Sequence, residues 1–284
     1  MSKYSVYLNT GNLRFDTLKK EDNVELEFNY INYNLILNKY FYEKKDLKNY
    51  ASLDSNNKPV KDLLEYIKEK QETIINIFKD NYKLSKKSFV LRNYSKLIIG
   101  MGEVSVREVS IKSDHIYGIP FIPASSIKGA FRSYLNEKYS KLDDAENIIE
   151  HPLIIELFGT EDKKGKLIFL DTYPEKFQLS VDIMTPHYGE YYSDGKVPVD
   201  SLRPNPIKFP IVKEGAIFKF IMLSTKPEYT LDDLKKTDLE KLEEKNKLKK
   251  LNIEKEFEKF LKEKPLGAKT SVGYGYFEKP KQKR

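Results

Sequence analysis

Residues 117–132 have the sequence YGIPFIPASSIKGAFR, and the order of elements along the chain can be worked outward from them. The segment before the helix contains Pro120 and Pro123. After it, apolar residues from Ile127 to Leu135 recur at spacings of three and four, which predicts a helix with Ser125 as its N-cap. Before it, residues 97–102 (LIIGMG) form a β-like run that ends in glycines. A strand followed by a helix predicts the start of a βαβ unit.

Toward the C-terminus, short apolar runs predict further strands. They are Lys166–Thr172 and Gln178–Met184, which could pair as a hairpin, and then Ile207–Val212, Ile217–Leu223 and Val272–Phe277. Residues 186–206 predict a projecting loop or thumb, and Leu231–Lys264 predicts a long, highly charged helical segment. This order predicts an α+β protein with a ferredoxin-like (RNA-recognition-motif-like) sheet enlarged by insertions.

Toward the N-terminus, apolar positions recur at helical spacing between Val24 and Lys45 and again between Leu63 and Tyr82. We therefore expect residues 1–90 to form a helical N-terminal region packed on the core. Residues 91–284 are expected to form the ferredoxin-like domain, with its thumb insertion near residues 186–206.

Composition permits nucleic-acid binding without establishing it. Lys and Arg exceed Asp and Glu by 50 to 43, and 20 Tyr and 16 Phe offer stacking surfaces; an AT-rich genome would produce the same Lys and Tyr bias. The absence of cysteine excludes disulfides, thiolate zinc sites and cysteine nucleophiles. No apolar run is long enough for a membrane span and the start lacks a signal-peptide core, so we expect a cytoplasmic protein with no membrane partner.

Two segments could receive phosphate groups. At the start of the helix capped by Ser125, the first-turn amides with Ser125, Ser126 and Lys128 could bind an anion, and Arg132 is expected to point outward from the same side. The alternative is an ordinary capped surface helix with two solvated cations.

The second segment is the glycine-rich loop GAKTSVGYGYF, residues 267–277. Successive amides around Lys269, Thr270 and Ser271 could cup an anion, and three glycines would permit close backbone approach. These glycines are Gly267, Gly273 and Gly275. The loop matches neither a Walker A nor a Rossmann motif, so we expect no nucleotide cofactor. A plain turn before an edge strand is the alternative.

A third segment, DIMTPHYGEYY at residues 182–192, carries His187, Tyr188, Tyr191 and Tyr192 on an exposed strand end. These side chains could stack on bases or pack against a neighbouring subunit, and the sequence leaves both open.

Catalysis is not expected. A metal-independent ribonuclease needs a converging acid and base, and the histidines have no spacing that argues convergence; they are His115, His151 and His187. The acidic candidates form no recognisable metal-ligand set; they are Asp171, Asp182 and Glu190. We therefore expect neither an enzyme nor a metal site.

The run at residues 97–102, the stretch at 117–132 and the glycine-rich loop together resemble the RAMP superfamily of CRISPR-associated proteins. Residues 32–42 (NYNLILNKYFY) and 182–192 are similar to the sixth-subunit family of type III-B (Cmr) effector complexes. With gaps, the resemblance runs from Asn32 to Phe277.

The resemblance implies a RAMP fold in a non-catalytic antiviral-defence subunit near the 3′ end of a guide RNA, where it would cap a ribonucleoprotein filament. Its implied partners are guide RNA, target RNA, the backbone RAMP subunit, the other terminal RAMP subunit and a small helical subunit. The implied guide-RNA contacts are Ser126, Lys128, Arg132, Lys269 and Thr270, and the loop 187–204 would reach bases or a neighbour. A guide-processing RAMP endoribonuclease, a type III-A (Csm) RAMP subunit and a protein–protein adaptor are the alternatives.

Overall fold

The structure is a computed structural model that describes residues 54–102, 109–142, 148–185, 206–230 and 250–281, together with two short N-terminal strands. The strands are β1 (Tyr4–Val6), β2 (Asp16–Leu18), β3 (Lys83–Leu91), β4 (Lys141–Leu142), β5 (Ile148–Ile149), β6 (Leu167–Phe169), β7 (Pro174–Lys176), β8 (Leu179–Met184), β9 (Ile207–Val212), β10 (Ile217–Ser224), β11 (Glu228–Thr230), β12 (Lys250–Asn252) and β13 (Phe277–Glu278). The helices are α1 (Lys58–Phe78), α2 (Ala124–Tyr139), α3 (Pro152–Phe158) and α4 (Ile253–Glu263), with a 3₁₀ turn at Thr270–Val272.

The central sheet is antiparallel, with strands in the order β13, β3, β10 and β6, and β7 also pairs with β10. The longest pairing joins β3 to β10, where Phe89 lies opposite Phe218. Side chains alternate across the sheet, so Phe218, Phe220 and Met222 of β10 share one face and are fully buried there. This face is the floor of the main hydrophobic core.

An aromatic cluster attaches α2 and α4 to that face. The ring of Phe131 on α2 lies 5.2 Å from the rings of both Phe257 and Phe260 on α4 and 6.3 Å from Phe169 on β6. These edge-on and tilted contacts are the arrangement that aromatic rings prefer. The helical stripe predicted from Ile127 to Leu135 is confirmed, because Ile127, Phe131, Tyr134 and Leu135 are its buried positions.

Helix α1 covers the opposite face of the sheet. Glu72 on α1 pairs with Lys86 of β3 at 2.5 Å and with Lys219 of β10 at 3.2 Å. Lys219 alternates with Phe218 and Phe220 along the strand, so it points away from the aromatic core. Ile67 and Ile75 of α1 are buried, and the sheet is therefore enclosed between helices on both sides.

Several sequence-based boundaries need correction. The predicted boundary at residue 90 falls inside β3, so the helical N-terminal region does not extend that far. The predicted hairpin is wrong: β6 pairs with β10, whereas β8 pairs with β9. The run at 96–102 contributes only a bridge at Leu97 instead of a strand.

The C-terminal elements are also shorter than predicted. The described part of the charged segment is helical only over Ile253–Glu263 and follows a strand, while residues 231–249 lie outside the described residues. Of the strand predicted at Val272–Phe277, only Phe277 pairs in the sheet. The predicted helix between Val24 and Lys45 and the thumb at 186–205 lie outside the described residues.

Candidate nucleic-acid interface

The base of the glycine-rich loop is fixed to the body of the protein by main-chain hydrogen bonds. Ala268 N donates to Ile98 O at 2.8 Å, Gly275 N donates to Lys96 O at 2.8 Å, and Leu266 N donates to Gly275 O at 2.9 Å. Gly275 has a φ of +78°, and a Cβ there would lie 1.8 Å from Leu266 O. Only glycine fits this position, so the glycine at residue 275 is required by the backbone conformation and the close packing of the loop.

The tip of the loop is a tight turn that leaves donors available. Lys269 has a left-handed backbone with a φ of 58°, and Val272 N and Gly273 N donate back to Lys269 O at 3.2 Å and Thr270 O at 3.1 Å. Among the described residues, nothing accepts a hydrogen bond from the amides of Lys269, Thr270 or Ser271. Three successive amides with a neighbouring ammonium group can bind an anion.

A polar network lies beside the loop. Lys96 Nζ lies 2.6 Å from Asp182 Oδ2, and the Tyr274 hydroxyl donates to the same oxygen. Burial alone would raise the pKa of the Asp182 carboxyl, but the hydrogen bonds from Lys96 and Tyr274 outweigh it and the net pKa is lowered. Asp182, weighed above as a metal ligand, therefore serves as the partner of two neighbours.

The start of α2 differs from the prediction. Ser125 is not the N-cap, because the helix begins at Ala124 after Pro123. The first amide of the helix is instead bonded by a side chain from another segment: Asp171 Oδ1 accepts a hydrogen bond from Ala124 N at 2.7 Å. The amide of Ser126 donates to Pro123 O at 3.0 Å. A carboxylate from a neighbouring segment thus occupies the positive end of the helix, which weakens the predicted phosphate site there.

Arg132 is not free, contrary to the prediction. Its Nε donates to Glu150 Oε1 at 2.7 Å and its Nη2 donates to Oε2, while Asn136 Nδ2 also donates to Oε1 at 2.7 Å. Burial would raise the pKa of the Glu150 carboxyl, but the hydrogen bonds from Arg132 and Asn136 lower it on balance. By contrast, the ammonium group of Lys128 forms no ion pair or hydrogen bond with another described residue, so this cation of α2 is available to a ligand.

The remaining predicted residues fall into two groups. His187 and Tyr188 lie outside the described residues. His151 is buried and caps α3, with its Nδ1 accepting from Leu153 N at 3.1 Å. Within the described ranges, no group of three His, Asp or Glu side chains is placed to hold a metal, and no hydrogen bond or ring contact joins the first turn of α2 to the glycine-rich loop.

Sequence reasoning missed three features of this surface. The turn Arg92–Ser95 lies against the glycine-rich loop, and Asp171 and Glu150 neutralise two predicted anion contacts. The left-handed turn at Tyr94 had no sequence signal, since no glycine marks it.

In the part of the chain that is described, no helix is long and apolar enough to cross a membrane.

The fold and this surface define an α+β protein in which a rigid glycine-rich loop lies beside an antiparallel sheet and offers main-chain donors. Residues 94–278 match the model of the RAMP superfamily, and the chain belongs to that family. It is 29% identical over 241 aligned residues to the CRISPR system Cmr subunit Cmr6 of Pyrococcus furiosus, with 65% of each chain covered. It is 30% identical over 171 residues to the Cmr6 subunit of Saccharolobus solfataricus, with 59% of this chain and 48% of that one covered.

The chain thus spans from about half to just under two thirds of the length of these curated relatives. Its fold is similar to a chain in the cryo-electron microscopy structure of the type III-B Cmr-β complex bound to cognate target RNA. The TM-score is 0.54 at 23% identity, with 76% of this chain and 66% of that one covered.

Proposed function

We propose that this chain is a non-catalytic RNA-binding subunit of a type III-B CRISPR effector complex in the cytoplasm. It would cap the filament near the 3′ end of the guide RNA and contact the backbone RAMP subunit, the other terminal RAMP subunit and the small helical subunit. The similarity to two Cmr6 subunits and to a chain of the Cmr-β complex bound to target RNA supports the assembly. The observation that carries the RNA-binding part is the fixed loop with three available amides beside Lys269.

The proposed fold of this domain is the ferredoxin-like sheet of RAMP proteins. Within the described residues, β3, α2, β6, β10, α4 and β13 occur in the chain order strand, helix, strand, strand, helix and strand, with further elements between them. Both helices pack on one face of the antiparallel sheet. That order and layering support the ferredoxin-like assignment, with α1, α3 and β8–β9 as additions.

The proposed RNA contacts are Lys128, Lys269, Thr270 and Ser271, with Ser125 and Ser126 as neighbouring hydroxyl donors. His187 and Tyr188 remain proposed contacts of the thumb. Arg132 is proposed to act indirectly, because its guanidinium is already bonded to Glu150.

The test is RNA affinity of the purified full chain and of the reconstituted complex at several salt concentrations. Lys128→Ala and Lys269→Ala should each weaken binding and reduce the slope of log affinity against log salt by about 0.7, the value for one lost phosphate contact on a single strand. Lys164→Ala is the matched control, since Lys164 is exposed, lies in a different turn and forms no ion pair with a described residue. Unchanged affinity and slope in both variants would leave the adaptor function instead.

The non-catalytic assignment has its own support. Of the candidate histidines, His151 is used as a buried helix cap, which leaves its ring without access to a substrate. Purified protein incubated with CRISPR repeat RNA should leave the RNA intact at high protein concentration. Cleavage that His115→Ala or His187→Ala abolishes would establish the guide-processing alternative.

A further inference from the structure

Tyr94 is an exposed aromatic residue in an unfavourable backbone conformation. It follows β3, its side chain is 95% exposed, and its φ is 64°. Within the described part of the chain, its side chain forms no hydrogen bond or ring contact. A bulky residue with positive φ is a genuine outlier, and such outliers persist where the surrounding structure holds them and cluster at binding sites.

The turn that carries Tyr94 is fastened to the glycine-rich loop. Arg92 N donates to Tyr276 O at 3.0 Å, and Ser95 Oγ donates to Gly273 O at 3.0 Å while accepting from Tyr276 N at 2.9 Å. Ser95 N closes the turn on Arg92 O at 3.0 Å. The main chain that carries Tyr94 is therefore held next to the loop.

We propose that Tyr94 is a stacking platform for an unpaired nucleobase of the RNA strand whose phosphate lies on the tip of the glycine-rich loop. This inference rests on the proposed RNA-binding function and assigns a base contact to it. An unpaired base needs an accessible π-face beside groups that hold the adjacent phosphate. Tyr94 supplies the face, and the amides of Lys269, Thr270 and Ser271 supply the donors.

A nucleobase fits this position better than a protein side chain does. Protein hot spots are aromatic anchors surrounded by contacts that exclude water. Among the described residues of the glycine-rich loop, the large exposed apolar side chain is that of Val272, which is 68% exposed. The same loop offers main-chain donors at Lys269, Thr270 and Ser271, which suit a sugar-phosphate backbone.

The absence of tryptophan from the chain provides a direct test. Tyr94→Trp places a single fluorescent indole at the proposed platform, and Tyr66→Trp, at a tyrosine of α1 that is 55% exposed, is the matched control. The probes are oligoadenylate of about 12 nucleotides and an abasic phosphodiester strand of the same length. Binding is followed separately by the anisotropy of a dye on each strand.

Oligoadenylate should quench the Tyr94→Trp emission, the abasic strand should bind without quenching it, and neither should change the Tyr66→Trp emission. If oligoadenylate binds but the Tyr94→Trp emission is unchanged, or both strands quench equally, the platform is refuted and the proposed function stands. If the wild-type chain, alone and in the reconstituted complex, binds neither strand, the proposed function fails and this inference with it.

Tyr94→Gly separates binding from folding. Glycine adopts positive φ without strain, so the denaturation midpoint should rise. Affinity for oligoadenylate should fall by roughly 5- to 150-fold, the loss expected for one stacked base, and affinity for the abasic strand should not change. A lower midpoint with unchanged oligoadenylate affinity would show that Tyr94 is structural.

Discussion

Replacing Gly275 by alanine should cost far more stability than the same change at Gly215, although the two glycines have nearly identical backbones. Their φ values are +78° and +79°, so each substitution incurs the left-handed penalty of roughly 1–2 kcal/mol. At Gly215 a new Cβ meets nothing within 4 Å, whereas at Gly275 it would lie 1.8 Å from Leu266 O. Relief of that overlap must displace the main chain that bonds Gly275 to Leu266 and Lys96.

Overpacking of this kind typically costs about 1–3 kcal/mol, and a buried main-chain group left without its partner costs about 1–3 kcal/mol. Gly275→Ala should therefore lower the free energy of unfolding by about 3–8 kcal/mol and Gly215→Ala by about 1–2 kcal/mol. Urea unfolding of both variants, with the slope m checked for two-state behaviour, measures the difference. Equal losses would refute the account of the loop as a packed backbone element.

Three further predictions concern side chains. Arg132→Ala should lower the free energy of unfolding by about 1–3 kcal/mol, because it removes the main hydrogen-bond partner of the Glu150 carboxylate. A double-mutant cycle with Glu150→Ala measures the coupling between the two side chains. Additive losses of stability would contradict the prediction. Burial lowers the pKa of His151 below its ordinary 6.5, so the folded state disfavours the proton and stability should fall as pH drops through that value. His151→Asn keeps a cap acceptor and should remove this dependence in thermal unfolding measured across that range, whereas an identical pH profile would exclude it. Hydrogen bonds from Lys279 and Lys262 lower the pKa of Glu258 from 4.5 to about 2, so the ionised carboxylate stabilises the fold above pH 4.5 and this stabilisation is lost as the pH falls toward 2. Glu258→Gln should therefore have a lower free energy of unfolding than the wild type at neutral pH and the same value in acid. A difference in free energy of unfolding that does not change with pH would contradict the assignment.

The sequence predicted elements that carry their own periodicity. The buried stripe of α2 and the strands Ile207–Val212 and Ile217–Ser224 could be placed because apolar spacing is local information. Pairing between strands was not predictable in the same way. The run at Lys166–Thr172 was expected to form a hairpin with Gln178–Met184, but it pairs with β10, some fifty residues away, and that choice depends on the whole core.

The candidate site shows the same division. The glycine-rich loop could be recognised because positive φ and close approach demand glycine. The partners that change the meaning of Arg132 and Ser125 could not, since Glu150 and Asp171 reach them across the fold. Long-range electrostatic pairing is invisible to a reading of local spacing.

Because α1 lies across one face of the sheet and α2 and α4 across the other, a ligand meets this protein along its edge loops. At the glycine-rich loop the groups offered are peptide N–H groups, which every amino-acid residue except proline possesses and which distinguish no base from another. An RNA held there would be held by its sugar-phosphate geometry. The same protein could then accommodate guides of unrelated sequence without any change to its own residues.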